Sequence, residues 1–195
     1  MRIIGGNHKG KNLFSPNNKK IRPLKDIVRE SIFNFLVHSN KIEFQIDGST
    51  ILDLFSGTGS FGLECLSRQA ERVLFIEKDK EAITFLEKNI EKLKEKKKTK
   101  ILSGDVFDII NKNNTASFNF DINLKFDLIF CDPPFKESNT NDLLKLIIEK
   151  NLLNKNGIII LHQHKNNELK LKSFFKVIDE RVYGLSKITF FQSTI

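Results

Sequence analysis

Residues 51–64, with the sequence ILDLFSGTGSFGLE, join an apolar strand to a helix through a turn rich in glycine. Gly57, Gly59 and Gly62 follow the strand at the spacing GxGxxG. Glycine allows the backbone to turn tightly and to approach a ligand closely, and the N-terminus of the following helix attracts anionic or polar groups. The strand, the loop and the helix together predict a nucleotide-binding α/β fold rather than an ordinary tight turn.

Strand and helix patterns alternate along the chain on both sides of this loop. Continuous apolar strands that alternate with amphipathic helices are typical of a parallel sheet covered on both faces. The sequence therefore predicts an α/β fold with a doubly wound, mostly parallel, seven-stranded sheet that closes with an antiparallel strand. The Asn-rich stretch 111–125 has no periodicity and is predicted to be an exposed insertion. We predict helices at 26–36, 59–69, 80–95, 106–112 and 141–153, and strands at 50–55, 72–77, 100–105, 126–132, 157–163, 176–184 and 186–192.

Three acidic residues accompany the first three predicted strands. Glu77 ends the second strand, twenty residues after Gly57, where an acid can accept both hydroxyls of a ribose. Asp53 lies within the first strand and can face an α-ammonium group, and Asp105 ends the third strand within reach of an adenine amino group. A nicotinamide dinucleotide has no α-ammonium group, so the three acids favour S-adenosylmethionine as the cofactor. The predicted cofactor site comprises Asp53, Gly57, Thr58, Gly59, Glu77 and Asp105.

The fourth predicted strand ends in the tetrapeptide Asp132-Pro133-Pro134-Phe135. Ligands of open α/β sheets bind beyond the carboxyl ends of the strands, which is where this tetrapeptide lies. The prolines prevent further strand pairing, so the Asp132 carboxylate and a backbone carbonyl can accept the two hydrogens of an exocyclic amino group. Such acceptors favour a tetrahedral nitrogen whose lone pair attacks a sulfonium methyl group, and Phe135 offers a face on which a base can stack. All four residues are predicted to be catalytic.

The net charge of +8 is concentrated at the N-terminus. Residues 1–25 contain seven basic residues and no acid, whereas the remainder has 25 basic against 24 acidic residues. A basic segment of this kind is typical of proteins that contact phosphates, although a solvated tail is the alternative. The residues predicted to bind RNA are Arg2, Lys9, Lys11, Lys19, Lys20 and Arg22.

Other features limit the class of protein. No apolar run is long enough to span a membrane, and no signal-type stretch follows Arg2. Cys65 and Cys131 are far apart and form no CxxC pair, which indicates a reducing cytoplasm and core thiols. The histidines have no zinc-type spacing, so no metal site is predicted. His162 and His164 share one strand face and are predicted to be surface polar residues at a strand end.

The chain resembles the bacterial small-subunit ribosomal RNA guanine-N2 methyltransferases, a class I family that uses S-adenosylmethionine. The resemblance implies a Rossmann-like methyltransferase that modifies the N2 amino group of a guanine, with Asp132–Phe135 around the base and the acids and glycines above around the cofactor. The substrate is then small-subunit ribosomal RNA, either free or within an assembling subunit. Leu24 and His162 depart from the family pattern, which usually has Thr and often has Glu there. The motifs that carry the resemblance are MRIIGGNHKGKNL, IRPLKDIVRESIFNFL, ILDLFSGTGSFGLECLSR, FIEKD, GD, FDLIFCDPPF and ERVYGLSKITFF.

Two alternatives remain at this level. A DNA adenine amino methyltransferase can use the same tetrapeptide, but about fifty residues before the core leave little room for a separate target-reading domain. A nonenzymatic RNA-binding module would explain residues 1–25 but not the acids near the glycine loop. We expect residues 1–48 to form an arm and helix that contact RNA and cover the cofactor site, and residues 49–195 to form the catalytic domain that binds S-adenosylmethionine.

Overall fold

The computed structural model describes residues 1–16, 26–111, 125–135, 139–170 and 175–193. Most of the predicted insertion at 111–125, together with Lys19, Lys20 and Arg22, lies outside these residues. The described helices are α1 (Asp26–His38), α2 (Ser60–Ser67), α3 (Lys80–Leu93), α4 (Val106–Asn111) and α5 (Thr140–Glu149). The described strands are β1 (Thr50–Leu54), β2 (Arg72–Glu77), β3 (Thr99–Ser103), β4 (Phe126–Cys131), β5 (Leu153–His164), β6 (Phe175–Tyr183) and β7 (Ser186–Ser193).

The strands form one seven-stranded sheet in the order β3-β2-β1-β4-β5-β7-β6. Strands β1 to β5 pair in parallel, whereas β7 pairs antiparallel with both β5 and β6. The predicted doubly wound sheet with an antiparallel closing strand is confirmed. Because the chain runs outward from β1 to β3 and then returns to β4, the strand order reverses between β1 and β4. Open α/β sheets bind their ligands at such a switch point.

The sheet has a separate apolar core on each face. Buried residues of α1, α2 and α3 pack on one face, and those of α4 and α5 pack on the other. The side chains of each strand alternate between the two cores, as the pleat requires, so Phe130 faces the first helices and Ile129 faces α5. The rings of Phe33 and Phe61 are 5.2 Å apart and those of Phe61 and Phe130 are 3.9 Å apart, which joins α1 through α2 to β4.

The first residues of the chain belong to the same core as the strands. Arg2 and Asn12 form an antiparallel bridge, and Ile3 and Leu13 are buried in the core on the α1–α3 face. Residues 1–14 therefore form a hairpin packed against the domain, not a detached arm. No helix among the described residues combines the length and the apolar character needed to cross a bilayer.

Two predicted boundaries are wrong by four residues, whereas the others lie within two residues of the observed ones, and the backbone explains the two large differences. Helix α5 ends at Glu149 instead of residue 153 because Asn151 adopts a positive φ of 50° and its N–H bonds to Ile148 O. Strand β5 begins at Leu153 instead of residue 157 because Leu153 pairs with Phe126 ahead of a register shift. Neither change moves the carboxyl ends of the strands, where the candidate site lies.

Candidate active site

Several polar side chains lie on one face of the sheet at the carboxyl ends of its parallel strands. Asp53, Glu77 and Asp132 are each two residues beyond a core residue of the α1–α3 face. Since alternate residues of a strand point to the same side, these carboxylates lie on that face as well. The acidic residues that the sequence predicts at β1, at β2 and after β4 therefore lie in the same part of the fold.

The glycine loop between β1 and α2 is tightly held. Gly59 has a φ of 81° at the N-cap of α2, and Leu63 N–H donates to its carbonyl at 2.9 Å. A Cβ on Gly59 would lie 2.3 Å from Leu86 Cδ1 of α3, so the Leu86 side chain or the loop would have to shift. Phe55 begins the turn with a φ of 57°, which is rare for a bulky residue and marks local strain.

Asp53 lies beneath this loop and is buried, with 1% of its surface exposed. Its Oδ2 accepts a hydrogen bond from Gly62 N–H at 3.0 Å. Burial raises the pKa of the Asp53 carboxyl well above its ordinary value, while the Gly62 bond lowers it and the carboxylates of Asp132 and Glu77 raise it further. A cationic group brought to this position would stabilise the ionised carboxylate.

Glu77, at the end of β2, is fixed by three backbone N–H groups. Its Oε2 accepts from Gly57 at 2.7 Å, and its Oε1 accepts from Lys78 at 2.8 Å and from Asp79 at 2.9 Å. The carboxylate therefore links the glycine loop to the start of α3. A carboxylate has about four lone-pair directions, so capacity remains for a hydroxyl donor.

Asp105 follows β3 next to Glu77. Gly104 N–H donates to the Glu77 carbonyl at 2.9 Å, which joins the ends of the two strands. Asp105 Oδ2 accepts from Lys78 Nζ at 3.0 Å, and its Oδ1 accepts from Phe107 N–H at 3.0 Å. The Lys78 hydrogen bond lowers the pKa of the Asp105 carboxyl below its usual range. The predicted ribose and adenine residues are thus adjacent.

Asn89 of α3 connects the glycine loop to the N-terminal hairpin. It is completely buried, and its Nδ2 donates to the Thr58 carbonyl at 3.1 Å and to the Phe14 carbonyl at 3.0 Å. Its Oδ1 accepts from Phe14 N–H at 2.7 Å. The side chain of Thr58 is itself buried. One amide side chain therefore holds the loop and the end of the hairpin together.

The tetrapeptide lies directly beside the glycine loop. Leu54 pairs with Cys131, and Asp132 N–H donates to the Leu54 carbonyl at 3.3 Å. The Asp132 side chain is 22% exposed. Pro133 is buried and Pro134 is exposed. The carboxylate of Asp132 thus reaches the surface at the switch point, next to the predicted cofactor residues.

The prediction that His162 is a surface polar residue is wrong. Its side chain is 9% exposed, and its Nδ1 lies 2.7 Å from Asp132 Oδ1. The strand continues through His164, and the β4–β5 register places His162 next to Asp132. The Phe135 ring packs edge-on against the rings of His162 and His164, with centroids 5.2 Å and 5.7 Å away.

The basic residues of the hairpin lie on its outer surface. Arg2, Lys9 and Lys11 are exposed, and Lys11 Nζ is 3.3 Å from His8 Nδ1. His8 Nε2 is in turn 2.7 Å from Glu95 Oε1, which joins the hairpin to the segment that follows α3. In the described parts of the chain, no group of three or more His, Cys, Asp or Glu side chains is placed to hold a metal ion.

Comparison with known proteins identifies the family. The family model described as "Conserved hypothetical protein 95" matches residues 1–192. A Haemophilus influenzae protein named ribosomal RNA small subunit methyltransferase D is 32% identical over 194 residues, covering 99% of this chain and 94% of the relative. The chain belongs to this methyltransferase family. The resemblance predicted from the sequence motifs is confirmed.

Solved structures support the fold of this family member. The Escherichia coli protein yhhF superposes with a TM-score of 0.82 at 27% identity, covering 99% of this chain and 97% of that one. An RNA methyltransferase from Salinibacter ruber, solved with S-adenosyl-L-homocysteine, gives a TM-score of 0.62 over 89% of this chain and 95% of that one. At 12% identity, the similarity to the Salinibacter ruber protein shows only that the two chains share a fold.

Two residues that contact the candidate site were not predicted from the sequence. Asn89 lies three residues after Leu86 on the apolar face of α3, so a polar residue at a core position was the available signal. His162 had no comparable signal in the sequence, because its contact with Asp132 depends on the register between β4 and β5.

Proposed function

We propose that this chain transfers the methyl group of S-adenosylmethionine to the exocyclic N2 amino group of a guanine in small-subunit ribosomal RNA. The observation that supports it most is the hydrogen bond from Asp132 N–H to the Leu54 carbonyl. This bond holds the tetrapeptide against the end of β1, directly before the glycine loop. The name of the Haemophilus influenzae relative supports ribosomal RNA as the substrate class.

The residues present fit S-adenosylmethionine. Glu77 accepts a ribose hydroxyl on the lone-pair direction that its three backbone donors leave free. Asp105 accepts from the adenine amino group, and Asp53 neutralises the α-ammonium group. Gly57, Thr58 and Gly59 form the backbone that approaches the cofactor. The arrangement is favourable because Glu77 is already held by Gly57 N–H, so the ribose acceptor and the loop are ordered together.

Asp132 and Pro133 activate the target nitrogen. Bound S-adenosylmethionine supplies an electrophilic methyl group on a sulfonium sulfur. The Asp132 carboxylate and the Pro133 carbonyl would accept the two hydrogens of the guanine amino group, which draws its lone pair out of conjugation and towards the methyl group. The N–C bond would form as the S–C bond breaks, S-adenosylhomocysteine would leave, and Asp132 would take the proton that the methylated nitrogen loses. Positioning and electrostatics provide the acceleration, and Asp132 needs no unusual basicity because the nitrogen becomes acidic once it is methylated.

Phe135 and Pro134 hold the target base. Phe135 is partly exposed, and a base that stacks on one aromatic ring gains about 1–3 kcal/mol. Pro134 fixes the turn that presents the ring. A guanine in a loop or an irregular segment of RNA can be extruded into such a pocket more easily than a paired one.

Residues 1–48 contact RNA and cover the cofactor site, while residues 49–195 perform the transfer. The exposed Arg2, Lys9 and Lys11 contact phosphates and position the RNA without reading its sequence. Lys19, Lys20 and Arg22 belong to the same basic segment of the sequence and contact RNA phosphates as well. Asn89 transmits the position of the hairpin to the cofactor loop through its bonds to Phe14 and Thr58.

Labelled S-adenosylmethionine tests this function against purified small-subunit RNA, assembled small subunits, transfer RNA and duplex DNA. We expect label in small-subunit RNA, free or assembled, and none with the Asp132→Ala variant. Label in DNA adenine instead would support the adenine methyltransferase. RNA binding without any transfer would support the nonenzymatic module.

A further inference from the structure

One imidazole ring contacts both ends of the catalytic tetrapeptide. His162 Nδ1 lies 2.7 Å from Asp132 Oδ1, and the His162 ring meets the Phe135 ring edge-on at 5.2 Å between centroids with an interplanar angle of 79°. His162 is buried, with 7% of its surface exposed, and sits one residue beyond the Cys131–Leu161 pair. Its position is therefore fixed by the sheet and not by a mobile loop.

The two nitrogens of His162 are not equivalent. An ionised carboxylate only accepts hydrogen bonds, so the hydrogen between the two groups belongs to His162 Nδ1. Nε2 is buried and has no hydrogen-bond partner within the described residues. Asp132 thus receives one directed donor on Oδ1, and Oδ2 is left for a substrate amino group. Because Nε2 makes no bond to the described residues, removal of Nε2 should cost none of the hydrogen bonds that the structure describes.

We propose that His162 is a positioning residue that holds the Asp132 carboxylate through Nδ1–H and the Phe135 ring through its edge contact, an inference that rests on the proposed methyl transfer. The first contact stops rotation of the carboxylate, which aims Oδ2 at the target nitrogen. The second contact holds the stacking ring. Turnover depends on the first contact, and RNA affinity depends on the second.

Three substitutions separate the two contacts. His162→Asn keeps a donor at the position of Nδ1 and removes the ring, so Asp132 stays oriented while Phe135 loses its contact with the His162 ring and keeps the one with His164. His162→Phe keeps a ring and removes the donor. His162→Gln carries the same amide as His162→Asn but one carbon farther out, at the level of Nε2, and so matches it as a control for donor position.

Steady-state kinetics with small-subunit RNA separate the effect of each variant on kcat from its effect on the KM for RNA. His162→Phe and His162→Gln should lower kcat by roughly 10- to 100-fold, the usual cost of a misplaced catalytic group or a lost charge-assisted bond. His162→Asn should keep kcat near that of the wild type and raise the KM for RNA by roughly two- to tenfold, the value of one aromatic contact. Equal kcat losses in His162→Asn and His162→Phe, or wild-type kcat in all variants, would overturn the proposal.

Two further readouts separate this proposal from the proposed function and from a merely structural role. Nitrogen-15 NMR of the unliganded protein should show the His162 hydrogen on Nδ1, with a signal that shifts in Asp132→Ala; a hydrogen on Nε2 alone would refute the contact whatever the enzyme does. Absence of methyl transfer by the wild type would refute the proposed function instead. A kcat that followed thermal stability across the three variants would show a structural role and overturn the positioning role.

Discussion

Replacement of Glu77 by Gln provides a stringent test of the cofactor site. Glu77 receives three backbone N–H groups, one from Gly57 on Oε2 and two from Lys78 and Asp79 on Oε1. Glutamine has the same shape but only one acceptor oxygen. Whichever way the amide is oriented, its NH2 group must face at least one backbone N–H. The orientation that keeps two bonds places the NH2 group against Gly57 N–H and pushes on the glycine loop.

The lost hydrogen bond sets the expected change in S-adenosylmethionine affinity. A hydrogen bond to a charged group contributes about 1.5–3 kcal/mol, which corresponds to roughly a 10- to 150-fold change in an equilibrium constant. We expect Glu77→Gln to weaken S-adenosylmethionine binding within that range. Glu77→Ala removes all three bonds as well as the ribose acceptor, so it should weaken binding at least tenfold and also lower the free energy of unfolding.

Calorimetric titration with S-adenosylmethionine measures the effect, and thermal unfolding reports the change in stability. Glu87→Gln is the matched control, because Glu87 is an exposed carboxylate on α3. It should change neither quantity. Wild-type affinity in both Glu77 variants would refute the ribose assignment, and tight binding of a nicotinamide dinucleotide by the wild type would favour the other class of cofactor.

Three further predictions concern the rest of the site. Asp132→Ala should abolish turnover and leave the affinity for S-adenosylmethionine nearly unchanged. Asp132→Asn should have a milder effect on turnover, since its amide oxygen still accepts one hydrogen bond. Near-normal turnover of Asp132→Ala on saturating RNA would exclude amino activation. The folded-state pKa of Asp53 is raised, so its contribution to stability is present below its unfolded value of about 4 and is lost as the pH rises through the folded value. Asp53→Asn should therefore gain stability over the wild type with rising pH in urea titrations while it binds S-adenosylmethionine more weakly, and a stability difference that is constant with pH would contradict this. Alanine at Arg2, Lys9 or Lys11 should each lower the slope of log affinity for RNA against log salt by roughly 0.7–0.9 without effect on cofactor binding, whereas unchanged slopes would mean that the hairpin does not contact phosphates.

Much of the fold could be predicted from periodicity. The parallel strands β1, β2, β4 and β5 contain mostly apolar runs buried on both faces, whereas the edge strand β3 is only partly buried. The crossover helices carry apolar faces that pack on the sheet. These patterns are local, so they appear directly in the sequence. The end of α5 could not be predicted in the same way, because it depends on the positive φ of Asn151 and on the pairing of Leu153.

The same difference between local patterns and non-local contacts applies to the candidate site. Asp53 and Glu77 lie in strands and Asp132 directly follows β4, so the geometry of a parallel sheet brings them to one end and one face. The partners of these residues are non-local contacts. The contact between His162 and Asp132 spans 30 residues, and the bond between Asn89 and Phe14 spans 75. The basic composition of the N-terminal segment likewise did not indicate that Ile3 and Leu13 are buried in the core.

The most direct measurement is the identity of the methylated nucleoside. Small-subunit ribosomal RNA is incubated with the protein and S-adenosylmethionine, digested to nucleosides and analysed by mass spectrometry against the Asp132→Ala variant. Activation of the guanine amino group by Asp132 and Pro133 requires N2-methylguanosine as the product of the wild type and none from the variant. A methyl group on another atom or base, or an equal yield of N2-methylguanosine from Asp132→Ala, would contradict it.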